Sequence, residues 1–351
     1  MSVRLFERIH TMATQPIFVN KTETAQREST LMALMPFIVI ALILAVSFLA
    51  GCQQRPSADT VARPTVKKMV EPALLSRADI KKDGAAETLR FKFADGAQLS
   101  EVADMSLTLD MSLTGAMSLD KKMRISTHIT LDSQVDAVSA RGANVSSKIV
   151  GFKMDTDQPV ALPDYKGARF STVRTASGNT ADFKYLGGAD MHSESLDAAL
   201  KQGYASQVFE LPERAVKPGD TWTATKNVKA NNLQGVTLEL AMTATYVGDL
   251  TRNGRRLAVV RVDVKIGGGG SVSQGPASGY MKANGRSLGV VLFDIARGIV
   301  VESKHQATIA VAGTIRAQGQ SVKMMISADA VTKEQTVLKP STAKAKPSTK
   351  S

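Results

Sequence analysis

Hydrophobic and polar residues alternate along most of the chain between residues 87 and 332. The alternation is most regular at 105–113, where serine, threonine and aspartate separate the apolar residues Met105, Leu107, Leu109, Met111 and Leu113. A period of two places the apolar side chains on one face of a β-strand and the polar ones on the other. Similar runs follow at 123–131, 238–246, 260–266, 299–311 and 321–332. The pattern therefore predicts a mainly β protein built from antiparallel meanders.

Turn-forming dipeptides lie between or beside these runs. Asp95-Gly96, Asn253-Gly254, Asn284-Gly285 and Gln318-Gly319 are each predicted to form a tight turn. The four glycines 267–270 are interpreted as a flexible hairpin tip. One segment has helical spacing instead: in 193–205, Leu196, Ala199 and Leu200 share one face, and Ser193 is suited to the N-cap. We expect one short helix there.

The order of strands and turns is similar in the two halves of the chain, although residue identity is low. This similarity predicts two curved half-barrel units, one at 87–206 that includes the linking helix and one at 207–332. Residues 53–70 are polar and rich in proline, so we interpret 52–86 as the acylated cysteine followed by a flexible tether. Residues 333–351 are interpreted as a disordered basic tail.

The N-terminal segment 1–51 has the three parts of an export signal. Basic residues precede twenty uncharged positions at 31–50, and the chain then continues with Gly51 and Cys52, so that residues 49–52 read Leu49-Ala50-Gly51-Cys52. This ending resembles the lipobox of bacterial lipoproteins, and Cys52 is the single cysteine of the chain. The resemblance implies diacylglycerol on Cys52, cleavage after Gly51 and N-acylation of the new terminus. The alternative is an uncleaved transmembrane helix, since about 20 apolar residues span a bilayer.

The lipid anchor implies attachment to a membrane of the cell envelope. Gln53 follows the cysteine, whereas aspartate there marks retention in the inner membrane of enteric bacteria. We therefore expect the periplasmic face of the outer membrane in a Gram-negative cell. Translation starts at Met1 or at Met12.

Charge and composition narrow the class of partner. The chain carries a net charge of +12, of which residues 52–351 contribute about +11. Such a charge favours anionic lipid, cell-wall polymer or nucleic acid, and export excludes nucleic acid. We expect the basic tail to contact anionic lipid or peptidoglycan, or to remain solvated. One cysteine excludes an intramolecular disulfide.

One phrase resembles a known family. Pro212, Val216, Gly219, Asp220 and Trp222 match the pattern P-x-x-x-V-x-x-G-D-x-W, which is similar to a family of uncharacterised bacterial lipoproteins with two β-rich halves. The family has no assigned activity, so the resemblance implies fold and location only. The phrase itself indicates a structural motif in which Gly219 and Asp220 form a turn and Trp222 closes one end of the sheet.

A search for catalytic and metal-binding patterns yields two weak matches. Residues 285–289 match G-x-S-x-G. A hydrolase nucleophile needs a strand before the serine and a helix after it. In this chain, the residues after the match are predicted to form a strand. Asp190, His192 and Glu194 alternate closely enough to share a cation, although acidic residues beside a helix N-cap have a simpler explanation. His128 and His305 are interpreted as solvated. We expect no catalytic activity, cofactor or metal.

The methionine-rich alternating face is the remaining candidate site. Methionine adapts to varied apolar ligands, so a hydrophobic ligand face is predicted at Met105, Leu107, Leu109, Met111 and Met123. The alternative is that these side chains form the core. Three functions stay open: an envelope domain that binds or scaffolds an unknown envelope protein, a carrier or sensor of a hydrophobic ligand, and, as the least favoured, an envelope enzyme.

Overall fold

The structure is a computed structural model. It describes residues 79–115, 118–158, 164–188, 200–201, 203–204, 208–229, 235–274, 277–317 and 320–339. The predicted export signal, Cys52 and the group Asp190, His192 and Glu194 lie outside these residues. Of the predicted helix at 193–205, only four positions are described, namely 200, 201, 203 and 204, and all four are helical.

Eleven strands account for most of the described chain, which confirms the prediction of a mainly β protein. They are β1 Gln98–Gly115, β2 Leu119–Ser139, β3 Gly142–Thr156, β4 Arg169–Arg174, β5 Thr180–Gly187, β6 Thr221–Lys229, β7 Val236–Arg252, β8 Arg255–Gln274, β9 Ala277–Asp294, β10 Ile299–Ala317 and β11 Gln320–Lys339. The long strands contain the alternating runs, because each run can bury one face while the other meets water.

All eleven strands belong to one antiparallel sheet, in the order β5-β4-β3-β2-β1-β11-β10-β9-β8-β7-β6. Every neighbouring pair is consecutive in the chain except β1 and β11, which pair over the whole length of β1. The first predicted unit supplies β1–β5 and the second supplies β6–β11. The β1–β11 ladder joins the two sets of strands in a single continuous sheet, in which β5 and β6 are the edges.

The sheet is curved, and its apolar face surrounds a common core. One hydrophobic cluster contains Leu107 from β1, Ile125 from β2 and Val228 from β6, although β1 and β6 are six positions apart in the sheet. Neighbouring strands lie about 4.8 Å apart, so these side chains share a cluster only if the sheet bends around them. A smaller cluster lies under β3, β4 and β5.

The segment before β1 crosses one end of this core. Lys81 forms a bridge with Asp249 at the end of β7, and Glu87 forms one with Val216. The backbone NH of Phe91 donates to Ala176, and that of Lys92 donates to Gly298. Leu89 and Phe91 are buried. The apolar residues of this segment therefore alternate because they fill the core, although the segment is not a strand. We call this end of the sheet the Phe91 end.

Among the predicted turns, the one at Asn253-Gly254 is confirmed and the one at Asn284-Gly285 is wrong. Asn253 and Gly254 connect β7 to β8 with positive φ angles of 52° and 71°, as expected for an Asn-Gly hairpin. The turn predicted at Asn284-Gly285 is wrong, because both residues lie inside β9 and pair with β8 and β10. A Cβ on Gly285 would lie 2.9 Å from Ile309, so this glycine permits close packing of the strands.

Three other expectations need correction at their boundaries. Glycines 267–270 lie within β8 and pair with both β7 and β9, which supply the backbone hydrogen bonds that a flexible tip would lack. Residues 333–339 of the predicted tail belong to β11 and pair with 98–104 of β1. Lys81, within the predicted tether 52–86, forms the bridge with Asp249 described above.

A cavity with a buried arginine as the candidate functional site

A cavity of about 240 Å³ opens at the Phe91 end between the sheet and the segment that crosses it. Its walls are mostly apolar and include Phe91, Phe93, Leu99, Val135, Ile299 and Leu338. The volume is just below the range of roughly 300–1,000 Å³ that is typical of small-molecule sites. The cavity therefore suits a small molecule, or one end of a longer one.

Arg174 forms part of the cavity wall and is almost completely buried, with 1% of its side chain exposed. Its Nη1 donates to Oε1 of Glu101 over 3.5 Å, which is long for a charge-assisted bond. Nε is buried and has no hydrogen-bond partner in the structure. A buried donor without a partner costs about 1–3 kcal/mol, and more when it is charged. The guanidinium therefore retains hydrogen-bonding capacity at the cavity wall.

The strand register brings Arg174 and Glu101 together. Ladder neighbours place Leu99, Glu101 and Val135 on the face that lines the core, and Arg174 reaches the same face from the end of β4. The strands β1 and β4 are three positions apart, about 14 Å in a flat sheet. Their side chains meet because the sheet curves at this end. The alternation along each strand predicts the face, but it does not predict this contact.

Positive charge predominates around the cavity. The lining residues include the cations Lys92, Arg174 and Arg297, and one carboxylate, Glu101. Lys92 Nζ lies 2.9 Å from the carbonyl oxygen of Ile295 and donates to it. The Arg297 side chain is 41% exposed and lies 3.9 Å from Asp294, so it is only weakly paired. A cavity lined by an excess of cations attracts anions.

A second row of polar groups points into the core beside the cavity. The Ser303 hydroxyl on β10 donates to the Glu334 carboxylate on β11 at 2.8 Å. The pKa of Glu334 is raised to about 7, chiefly by burial and to a smaller extent by the nearby charge of Glu101, while the bond from Ser303 opposes this rise. His305 also points inward, which corrects the expectation that it is solvated. Burial lowers the pKa of His305 to about 4, and its Nε2 has no partner in the structure.

The imidazole of His305 packs directly on a glycine of the adjacent strand. A Cβ on Gly289 would lie 1.9 Å from Nδ1 of His305, so any larger residue would displace the ring. Gly289 ends the G-x-S-x-G match at 285–289, and the whole match lies within strand β9. The strand continues after Ser287 to Asp294, so the helix that a hydrolase nucleophile requires does not follow it. The glycines of the match serve packing between strands.

We expect the substitution Glu334→Gln to change the pH dependence of stability. The unfolded carboxyl has a pKa near 4.5, so the folded state holds the proton more tightly and loses stability as pH rises from about 5 to above 7. The variant cannot ionise and should keep that stability. The difference in the free energy of unfolding between the variant and the parent should therefore increase, in favour of the variant, by at most about 3 kcal/mol between pH 5 and pH 8.

Urea unfolding at pH 5, 6.5 and 8 measures this difference. Glu239→Gln, at an exposed position of β7, is the matched control and should show no such trend. A pH profile of Glu334→Gln that runs parallel to the parent would contradict the raised pKa. His305 contributes the opposite pH dependence of stability. Because its pKa is lowered in the folded state, the protein loses stability as pH falls from about 6.5 to 4.

The predicted ligand face lies away from the cavity lining. Met105, Leu107 and Leu109 are 1–4% exposed, and Met111 and Met123 are partly buried against the main hydrophobic cluster. All five point to the core side of β1 and β2. They share one face of the sheet, where four of them belong to the main hydrophobic cluster or pack against it and Met105 belongs to a small separate cluster. The lining of the cavity includes Leu99 and Glu101 of β1 instead, which the methionine pattern did not indicate.

The phrase around Trp222 forms a turn and a partly buried contact. Gly219 has a φ of 95°, and the Asp220 carboxylate accepts from the backbone NH of Lys217 at 3.1 Å and from Arg214 at 3.0 Å. These bonds lower the pKa of Asp220. The indole Nε1 of Trp222 donates to the carbonyl oxygen of Glu210 at 2.7 Å, and its ring packs against the main cluster.

No group of three or more histidine, cysteine, aspartate or glutamate side chains in the part of the chain that the structure describes could hold a metal ion. No described helix has the length and hydrophobicity that crossing a membrane would require.

Comparison with known proteins assigns no family. No family model matches the chain. No curated protein matches it either. Among solved structures, the chain is similar to the hypothetical lipoprotein YmcC from Escherichia coli, with 11% identity, 63% of this chain and 85% of that chain covered, and a TM-score of 0.18.

Two further solved structures are similar to the chain at an equally low level. OccK7 (OpdD) from Pseudomonas aeruginosa is 7% identical, with 69% of this chain and all of that chain covered and a TM-score of 0.19. An outer membrane channel from Pseudomonas putida F1 is 9% identical, with 70% and 97% covered and a TM-score of 0.19. Such scores are too low to transfer a function.

Proposed function

We propose that this chain is a lipid-anchored protein of a bacterial cell envelope whose β domain binds a small apolar ligand at the Phe91 end. The cavity with the buried side chain of Arg174 is the observation that carries the binding function. A core that excluded ligands would have little reason to keep an underpaired guanidinium in an apolar wall, because such a group is costly. The periplasmic face of the outer membrane is the proposed location.

The size of the cavity favours the binding of a small ligand over the transport of a long-chain ligand. A volume of about 240 Å³ is smaller than the sites that enclose a drug-sized molecule. The ligand would therefore be short, or it would insert only one end. The scaffold function stays as the alternative, in which an envelope protein docks on the domain and the cavity has no ligand.

Lipid attachment is proposed from the sequence Leu49-Ala50-Gly51-Cys52. We expect Cys52→Ser to abolish acylation and to leave an unprocessed precursor, because the thiol is the acceptor of the diacylglycerol. Labelling of cells with an alkyne analogue of palmitate measures this directly. Ser57→Ala, five residues downstream, is the control and should retain the label. Label on Cys52→Ser protein would refute the anchor.

A cavity-blocking substitution tests the binding function. Ala296 lines the cavity at an exposed turn position, so Ala296→Trp can fill the entrance without changing the core. Ala140→Trp, at an exposed turn outside the lining, is the matched control. Calorimetry of the full chain in nanodiscs with octanol and octanoate as probes, corrected with empty nanodiscs, should show binding that only Ala296→Trp abolishes. Absence of binding by both probes would refute the function.

The basic tail is proposed as an accessory contact to anionic lipid or peptidoglycan. An exposed lysine near an anionic membrane contributes about 1 kcal/mol. Lys333 and Lys339 lie on β11, and Lys339 forms an ion pair with Asp132 at 2.7 Å. Since that pair occupies Lys339, the contact is assigned to Lys344, Lys346 and Lys350, which lie outside the described residues.

A further inference from the structure

We propose that the cavity selects an anionic amphiphile, a carboxylate on a short apolar chain, and that Arg174 binds the carboxylate. This proposal rests on the binding function above and adds the charge of the ligand. It depends on three properties of the site: the unpartnered buried Nε of Arg174, the apolar walls, and the excess of cations over carboxylates in the lining.

The first property is the state of the guanidinium. Arginine carries five N–H donors and cannot lose its charge in a protein. In the structure, Nη1 has the 3.5 Å bond to Glu101, and the buried Nε has no partner. An incoming carboxylate can accept from Nε while Nη1 stays with Glu101, because the two nitrogens offer separate N–H groups. A neutral ligand without an acceptor would leave Nε unpartnered.

The second property is the shape of the wall around this donor. Phe91, Phe93, Leu99 and Leu338 surround the space beside the guanidinium. An apolar chain gains free energy from contact with such walls, whereas a small inorganic anion would leave them facing an ion. The site therefore favours a ligand with a charged head and an apolar body over phosphate or sulfate.

The third property is the sign of the charge on the residues that line the cavity. Lys92 and Arg297 lie among the lining residues together with Arg174, and Glu101 is the one acidic member of the lining. The side chain of Arg297 is 41% exposed, so it can attract an anion from solution. An aliphatic amine would meet this excess of positive charge and should be excluded.

The test compares three probes of equal chain length: octanoate, octanol and octylamine. Calorimetry of the full chain in nanodiscs should give the tightest binding for octanoate and none for octylamine. In Arg174→Gln, the affinity for octanoate should fall at least about tenfold, the effect of losing one charge-assisted hydrogen bond. The affinity for octanol should fall much less, because its hydroxyl is an uncharged acceptor. Arg316→Gln, at an exposed position at the opposite end of β10, is the matched control.

A further variant guards against a folding defect. Arg174→Gln leaves the partly buried carboxylate of Glu101 without its cation, so the double variant Arg174→Gln/Glu101→Gln removes both charges and should show the same loss for octanoate. If octanol and octanoate bind equally, or if Arg174→Gln behaves like Arg316→Gln, the anion preference is overturned while the apolar binding function survives. If no probe binds, both proposals fail.

Discussion

Replacement of Glu101 by glutamine is expected to lower the free energy of unfolding by about 3 kcal/mol. The Arg174 side chain that it contacts is 1% exposed, and removal of one member of a buried ion pair leaves the other as an uncompensated charge, which costs roughly 3–5 kcal/mol. We expect the lower end of this range because the bond is 3.5 Å long. Denaturant unfolding with an unchanged m-value provides the measurement.

A double-mutant cycle separates the pair from its surroundings. Arg174→Met combined with Glu101→Gln removes both charges, and we expect the double variant to recover most of the loss, since apolar replacements of buried pairs are often neutral. Glu302→Gln is the matched control, because its partner Arg252 is 51% exposed and such pairs contribute at most about 1 kcal/mol. An effect of Glu101→Gln as small as that of Glu302→Gln would mean that water already solvates Arg174.

Trp222→Ala should cost about 3 kcal/mol of stability. The ring packs against the main hydrophobic cluster, and Nε1 donates to Glu210, so the substitution removes both apolar contact and a hydrogen bond. Complete burial of a tryptophan would predict up to about 5 kcal/mol, but this ring is only partly buried. Thermal or urea unfolding of the two proteins measures the difference.

Two variants identify the source of that loss. Trp222→Phe keeps most of the apolar contact and loses the Nε1 bond, so it should cost about 1 kcal/mol. Thr223→Ala alters the exposed face of the same strand and should change stability by less than about 0.5 kcal/mol. If Trp222→Ala costs less than 1 kcal/mol, the tryptophan has no structural role, and its surface becomes a candidate for binding.

Local patterns in the sequence predicted the strands and the orientation of their side chains. The alternation at 105–113 identified β1 and the burial of Met105 and Leu107, because a period of two depends only on neighbouring residues. The hairpin at Asn253-Gly254 was predictable for the same reason, since two residues with positive φ suffice to define it. The mainly β class and the core side of the most regular strands could thus be predicted without the structure, whereas the inward direction of His305 on β10 could not.

The same local patterns failed where distant strands determine the outcome. Asn284-Gly285 has the composition of a turn, but both neighbours of β9 supply hydrogen bonds across it, and Gly285 is required for close packing against Ile309. Residues 333–339 looked disordered because few of them are apolar, yet β1 pairs with them and extends the sheet. In both segments, tertiary hydrogen bonds outweigh the intrinsic preference of the residues.

The candidate site itself was decided by tertiary structure alone. Glu101 and Arg174 are 73 residues apart and lie on strands three positions apart, so no short-range pattern relates them. Their contact requires the pairing order of four strands and the curvature of the sheet, and both depend on how the apolar faces of the strands pack together. The sequence by itself determined the mainly β class and the inward faces of its most regular strands. Only the folded chain determined which polar side chains meet, because that depends on cooperative packing of the whole sheet.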